Sequence, residues 1–238
     1  MSKRPSDADI QRLYYAETAQ RYDTMHLKEE QEAHLSLCLL LAAADFLGVR
    51  SILDIGSGTG RAIAHVKRAR PDLLVKGIEP VQQLRAIGHA NGIGADELVD
   101  GDALALEFAD GAFDLVCEFG ALHHIKTPAR AVDEMLRVAG KAVLIADVNN
   151  FGQGSFLSRA IKQMLDAFGL WPVADFLKTR GRGYLLTEGD GLAYSYSVFN
   201  DYARIRAKCR SVHVLNTVDG GVNPYRTASH VTLLGIKK

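Results

Sequence analysis

The sequence predicts an open α/β sheet, mostly parallel, with helices on both faces. Short apolar runs bounded by turns recur at Ser51–Ile55 (SILDI), 73–78 (LLVKGI), 97–99 (ELV), Phe113–Phe119 (FDLVCEF) and 141–148 (KAVLIADV). Segments of helical spacing fall between them, at 61–70, 81–90 and Pro128–Val138. The first run ends in a glycine turn, Gly56-Ser57-Gly58-Thr59-Gly60, that leads straight into a helix. Strands alternating with helices at this spacing form parallel sheets. Right-handed crossovers then gather the C-terminal strand ends on one edge, where ligands of such sheets bind.

Along the chain, residues 1–48 are expected to form a helical cap of one or two helices, including a buried helix at 37–44 (LCLLLAAA). Residues 49–149 form the core of a single domain spanning 1–238. Pro71 closes the first crossover helix, and Pro128 opens another at a position that tolerates a missing N–H. The rhythm breaks over 150–205, where seven glycines surround one helix at 156–168, and this stretch reads as an insertion or lid between the fifth and sixth strands. Lys178-Thr-Arg-Gly-Arg-Gly183 places three cations there, either solvated or poised to clamp an anion, and 204–210 (RIRAKCR) reads as the exposed face of a helix. Residues 206–238 supply a last antiparallel pair, at 211–215 and 230–236.

Lys plus Arg equals Asp plus Glu at 28 each, so no net field draws the chain to nucleic acid or a charged membrane. The cysteines Cys38, Cys117 and Cys209 are odd in number and unpaired by spacing, which suits a reducing cytoplasm. The start, Met1-Ser-Lys-Arg-Pro, lacks the apolar core of a secretory signal, and the 37–44 run is too short to span a bilayer. A homodimer stays open.

The glycine turn carries the chemistry. Glycines let the backbone bend sharply and approach a ligand, with helix N–H groups aimed at it. Glu79 follows about 20 residues on, where a carboxylate can grip ribose hydroxyls. A nicotinamide dinucleotide would fit that much. However, the glycine spacing is G-x-G-x-G, and Asp54 lies two residues before the first glycine. A carboxylate there repels a pyrophosphate but suits a ligand carrying an ammonium and a sulfonium.

With LDIGSGTG, Glu79, Gly101-Asp102-Ala103 and FDLVCEFGALHHIKTPARAVDEMLRV, the chain resembles the class I S-adenosylmethionine-dependent methyltransferases, in particular the type 11 small-molecule enzymes. The resemblance implies a Rossmann-like, mostly parallel seven-stranded sheet with an antiparallel last strand. It also implies S-adenosyl-L-methionine as donor and S-adenosyl-L-homocysteine as product. Asp54 and the Gly56, Ser57, Gly58 and Gly60 turn would hold the methionine moiety, and Glu79-Pro80 the ribose. Asp102 with Ala103 would lie at the adenine edge, Glu118-Phe119 would line the donor pocket, and Tyr14 and Tyr22 would close over it.

On the acceptor side, His123 and His124 follow the fourth strand and Asp147 ends the fifth. His123 is expected to act as general base, with Asp147 holding the ring in the right tautomer. Adjacent residues are not expected to enter one pocket together, so His124 reads as packed or bonded to a backbone carbonyl, with His124 as the catalytic group or a purely structural pair as the alternatives. Asn149, Asn150, Gln153, Tyr194, Tyr196, Tyr225, Arg226 and His230 are the candidate acceptor contacts; amides with aromatics suit a polyhydroxylated molecule such as a saccharide. No metal constellation is expected, since the HH pair lacks fixed ligand spacing. The reading is transfer to a hydroxyl of a small polar molecule. An N- or C-methyltransferase of the same fold, a non-catalytic donor-binding protein and a dehydrogenase are its rivals.

Overall fold

In the computed structural model, residues 5–25, 27–187, 189–218 and 223–238 are described, with the backbone alone over 27–33; the polar start, except Pro5, lies outside them. The cap holds three helices rather than one or two: α1 (Asp7–Thr18), α2 (Tyr22–Met25) and α3 (Leu27–Leu47). Ser6 and Asp9 form a capping box at the start of α1, and Leu40, Ala43 and Ala44 of the apolar 37–44 run are buried. The core then alternates β1 (Ser51–Ile55), α4 (Arg61–Ala69), β2 (Leu74–Ile78), α5 (Gln82–Ala90), β3 (Leu98–Val99), β4 (Phe113–Phe119), α6 (Pro128–Val138) and β5 (Ala139–Val148).

The insertion contains more structure than its glycines suggested: α7 (Phe156–Ala167), α8 (Trp171–Lys178) and a hairpin of β6 (Leu185–Thr187) with β7 (Gly191–Ala193). Next come α9 (Tyr202–Lys208), β8 (Cys209–Asn216), α10 (Pro224–Thr227) and β9 (His230–Lys237). The 204–210 stretch is thus helix only to Lys208, and Arg210 lies in a strand.

The seven-stranded sheet has the order β3-β2-β1-β4-β5-β9-β8. Its first five strands are parallel, and β9 runs antiparallel between β5 and β8. Period-two burial divides the core between the faces. Leu115, Cys117 and Leu144 pack with Leu40 of α3 and Ile63 of α4, whereas Val116, Val143 and Ile145 pack with Met135 of α6 and Ile205 of α9. Strand order reverses between β1 and β4, which opens the crevice where the glycine turn and the His123 loop face each other. No helix of the described residues is long and apolar enough to cross a membrane.

Leu115 is fully buried on a central strand, so Leu115→Ala should cost about 2–5 kcal/mol of stability, read as a lowered urea midpoint with an unchanged slope.

Candidate active site

Three cavities of about 230, 250 and 410 Å³ line the C-terminal edge of the parallel strands, and Tyr22 and Phe119 border all three. Over the glycine turn, Asp54, Gly56 and Ser57 line one of them. Gly56 and Gly58 have φ of +68° and +56°, a region that strains other residues. A Cβ on Gly56 would lie 2.5 Å from Ala121 Cβ, and one on Gly58 would lie 2.8 Å from Tyr22 Oη. Close approach of the β4 loop and of Tyr22 therefore requires glycine at both positions. Gly60 serves as the left-handed N-cap of α4.

Asp54 is 2% exposed, and no salt bridge reaches it among the described residues. Burial pushes its carboxyl up to about 7; hydrogen bonding by Ser57 opposes this and Glu79 adds to it. The Arg61 guanidinium, on the same cavity, favours its ionised form, and a bound ammonium or sulfonium would add a further positive charge there. Glu79 is raised to about 6 by burial, against the N–H groups of Val81 (2.8 Å) and Gly58 (3.0 Å) that donate to it. Each of its oxygens keeps lone-pair capacity for a ribose hydroxyl. Glu79, Pro80, Asp102 and Ala103 line the largest cavity together, which continues from the glycine turn through Gly56. The chemistry of these groups fits a zwitterionic sulfonium nucleoside lying from Asp102 to Asp54.

The third cavity adjoins them. A 3-10 turn at Leu122–His124 turns both imidazoles into it, with ring centroids 3.9 Å apart. This corrects the expectation that neighbouring rings would diverge. Both can face one way because Asp190, on the β6–β7 turn, offers one oxygen to each: Oδ2 lies 3.4 Å from His123 Nε2, and Oδ1 lies 3.2 Å from His124 Nε2. His123 Nδ1 donates to Asp147 Oδ1 at 2.6 Å. His124 Nδ1 lies 2.6 Å from the Leu192 carbonyl, the backbone partner foreseen for it, while its Nε2 lies 2.9 Å from Tyr15 Oη. Burial of His123 works against its cation, but Asp147 and Asp190 outweigh it and hold the ring well above the usual histidine range. Burial likewise opposes ionisation of Asp190, yet the two imidazoles hold it well below the usual carboxylate range. Ligating atoms of His123, His124 and Asp190 lie within 4.8 Å of one another, a cluster that sequence spacing concealed. They already satisfy one another without an ion.

Other residues fall differently. Tyr14 accepts from Gly189 N (2.8 Å) under the β6–β7 hairpin, and it is Tyr15 that joins Tyr22 at the cavities. Phe119 lines the donor side, but Glu118 is fully buried beneath it, accepting from Ala121 N while its other oxygen has no protein partner. Gln153 and His230 border the histidine cavity, and Tyr194 borders the Glu79 cavity while donating to Asp7. Asn149 is spent on structure: its amide donates to the carbonyls of Pro224, Tyr225 and Ala228, and its oxygen accepts from Ser197 and Phe151. Asn150 is buried and lines none of the three cavities; its backbone carbonyl accepts from Lys162, while its side-chain amide nitrogen has no partner among the described residues. Tyr196 donates to Asp201, and Tyr225 donates to Asp166. Arg226 sits on α10 and borders none of the three cavities. Asp190 and Tyr15 were missed. A lone acid between two glycines was the available signal for Asp190.

Residues 53–145 match the family model described as "Methyltransferase domain". The chain is 30% identical to a demethylmenaquinone methyltransferase of Roseiflexus sp. (strain RS-1) over 185 residues, 69% of this chain and 74% of that protein. It is 35% identical to ajmaline N-methyltransferase of Rauvolfia serpentina over 101 residues, 40% of this chain and 34% of that protein. Its fold is similar to that of magnesium protoporphyrin IX methyltransferase from Synechocystis PCC 6803 with bound SAH, at a TM-score of 0.61 and 14% identity, covering 98% of this chain and 100% of that one. The chain spans from about a third to little more than half the length of several of the curated relatives it matches.

Because burial raises the folded-state pKa of Asp54, the folded form keeps a proton that the unfolded chain has lost, and stability from this group falls as pH rises from the unfolded value of 3.8 through about 7. Asp54→Asn removes that loss. Urea midpoints of the ligand-free variant should therefore gain on those of the parent as pH rises across this window.

Proposed function

Since the chain belongs to the S-adenosylmethionine-dependent methyltransferases, we propose that it methylates a hydroxyl of a small molecule seated against His123. The observation that carries this reading is the buried His123–Asp147 pair, whose Nε2 opens on a cavity next to the donor pocket. S-adenosylmethionine supplies an electrophilic methyl group when bound, so the chain's own work is alignment, exclusion of water and removal of one proton. Asp54 balances the donor's positive charge, Glu79 holds its ribose, and Tyr22 with Phe119 separates donor from acceptor space.

An acceptor hydroxyl takes the place of Asp190 at His123 Nε2. Departure of that carboxylate removes one of the two charges that hold the imidazolium, and the ring's pKa falls toward the range of a working base. Asp147 stays behind to fix the tautomer and to stabilise the cation that forms on proton transfer. A saccharide acceptor has less support, because five of the eight residues expected to contact it are engaged in holding loops or lie away from the cavities. The similarity to an N-methyltransferase keeps an amine acceptor as the second reading. An amine delivered unprotonated does not require the base.

His123→Ala should lower kcat by roughly 10²–10⁴ for a hydroxyl acceptor while leaving S-adenosylhomocysteine affinity unchanged by calorimetry. Retention of full turnover would remove the hydroxyl reading. Asp54→Asn should instead weaken nucleoside binding roughly 10- to 100-fold, the loss expected for a charge-assisted contact. Asp190→Asn takes one carboxylate from His123, so the acid limb of kcat/KM should move to lower pH.

A further inference from the structure

We propose that the outer face of α7 and α8 docks the protein on an anionic lipid surface. A surface helix normally turns its polar side chains to water and its apolar stripe to the core. Here the two helices are arranged the other way. The polar groups point inward: Lys162 donates to the Asn150 and Gln153 carbonyls, and Gln163 to those of Phe151 and Arg226. Asp166 accepts from Tyr225, and both Asp175 and Lys178 meet Ser195. Many apolar side chains point outward: Phe156 is 80% exposed, Phe168 74%, Leu177 69% and Phe176 62%, with Leu157 and Val173 also exposed, while Trp171 turns in against Phe151. So many exposed large apolar side chains on two adjacent helices are unusual on a protein surface that meets only water.

Charge identifies the occupant. Residues 154–187 contain five Lys and Arg but only two acids, Asp166 and Asp175, both turned inward. The apolar face is accordingly edged by cations, with Arg180 and Arg182 exposed just past the end of α8. Lipid phosphates complement such an edge. A second copy of the chain, paired through the same face, would offer these cations no acid of this segment, since Asp166 and Asp175 are both turned inward.

Arg180 adds an independent sign. The N–H groups of Gly181 and Arg180 bond back to Phe176 O (2.8 Å) and Leu177 O (3.1 Å), the Schellman closure of a helix. That closure puts Arg180 at φ +54°, and it is the one non-glycine residue with positive φ among those described. Glycine suits this position better, and two glycines stand next along the turn, yet the position carries a cation. The even overall charge gave no reason to expect a membrane; the local arrangement does.

The test is cosedimentation of the full chain with phosphatidylcholine vesicles with and without phosphatidylglycerol. The protein should pellet with the anionic vesicles, and added salt should weaken the binding. Phe168→Ser with Phe176→Ser should weaken it roughly tenfold or more, with melting temperature and S-adenosylhomocysteine affinity kept. Arg180→Gly should raise the melting temperature and still reduce vesicle binding several-fold. No binding to either vesicle overturns the proposal. So does a dimer in sedimentation equilibrium that the two phenylalanine substitutions convert to monomer without any vesicle binding, since a second copy then covers the face.

Discussion

Asp147 has 1% of its surface exposed and accepts four hydrogen bonds, from the N–H groups of Leu122, His123 and Val148 and from His123 Nδ1. These tie the loop after β4 to the end of β5, so the backbone of the turn and the ring it presents are fixed by one group. A buried carboxylate is costly unless its charge is matched. Here the imidazole matches it, and burial with the charge on Asp147 pushes the neighbouring Glu118 carboxyl up while, against burial, His123 holds Asp147 down. Without this ion pair nothing would fix the His123 ring against the end of β5.

On the donor side the balance is left open. Asp54 and Glu79 are both buried and both raised in pKa. The ligand-free crevice therefore carries unfavourable charge burial that a cationic ligand would relieve, and part of the binding free energy reappears as stability. The turn itself stays open because side chains at Gly56 and Gly58 would strike Ala121 and Tyr22.

The parallel strands, their order of appearance and the glycine turn were legible in the sequence because burial on both faces writes continuous apolar runs, which local pattern alone exposes. Asp54, Glu79 and Asp147 were legible because each sits at or next to a strand end, where the topology leaves a side chain few directions, and His123 because its turn follows β4 at the same edge. Contacts made by the insertion were not. Asp190 reaches the site from a hairpin whose glycines look the same in a turn as in a loop. Tyr15 rather than Tyr14 faces the crevice, since only the angle at which α1 packs decides between neighbours on a helix. Asn149 looked like a ligand contact, but the chain needed its amide to hold carbonyls of the 224–228 segment.

The insertion and the N-terminal helix are clasped together. Gln11 donates to the Asp190 carbonyl (3.1 Å) and accepts from Leu192 N (2.5 Å), and Tyr14 accepts from Gly189 N. The same helix carries Tyr15, and Tyr22 follows a turn later at the glycine loop. On the proposed reading one doorway would then serve both reactants: loosening it to exchange the spent nucleoside would also free whatever lies beside His123. Such an enzyme would work in single strokes, and a molecule needing two methyl groups would have to be released and captured again between them.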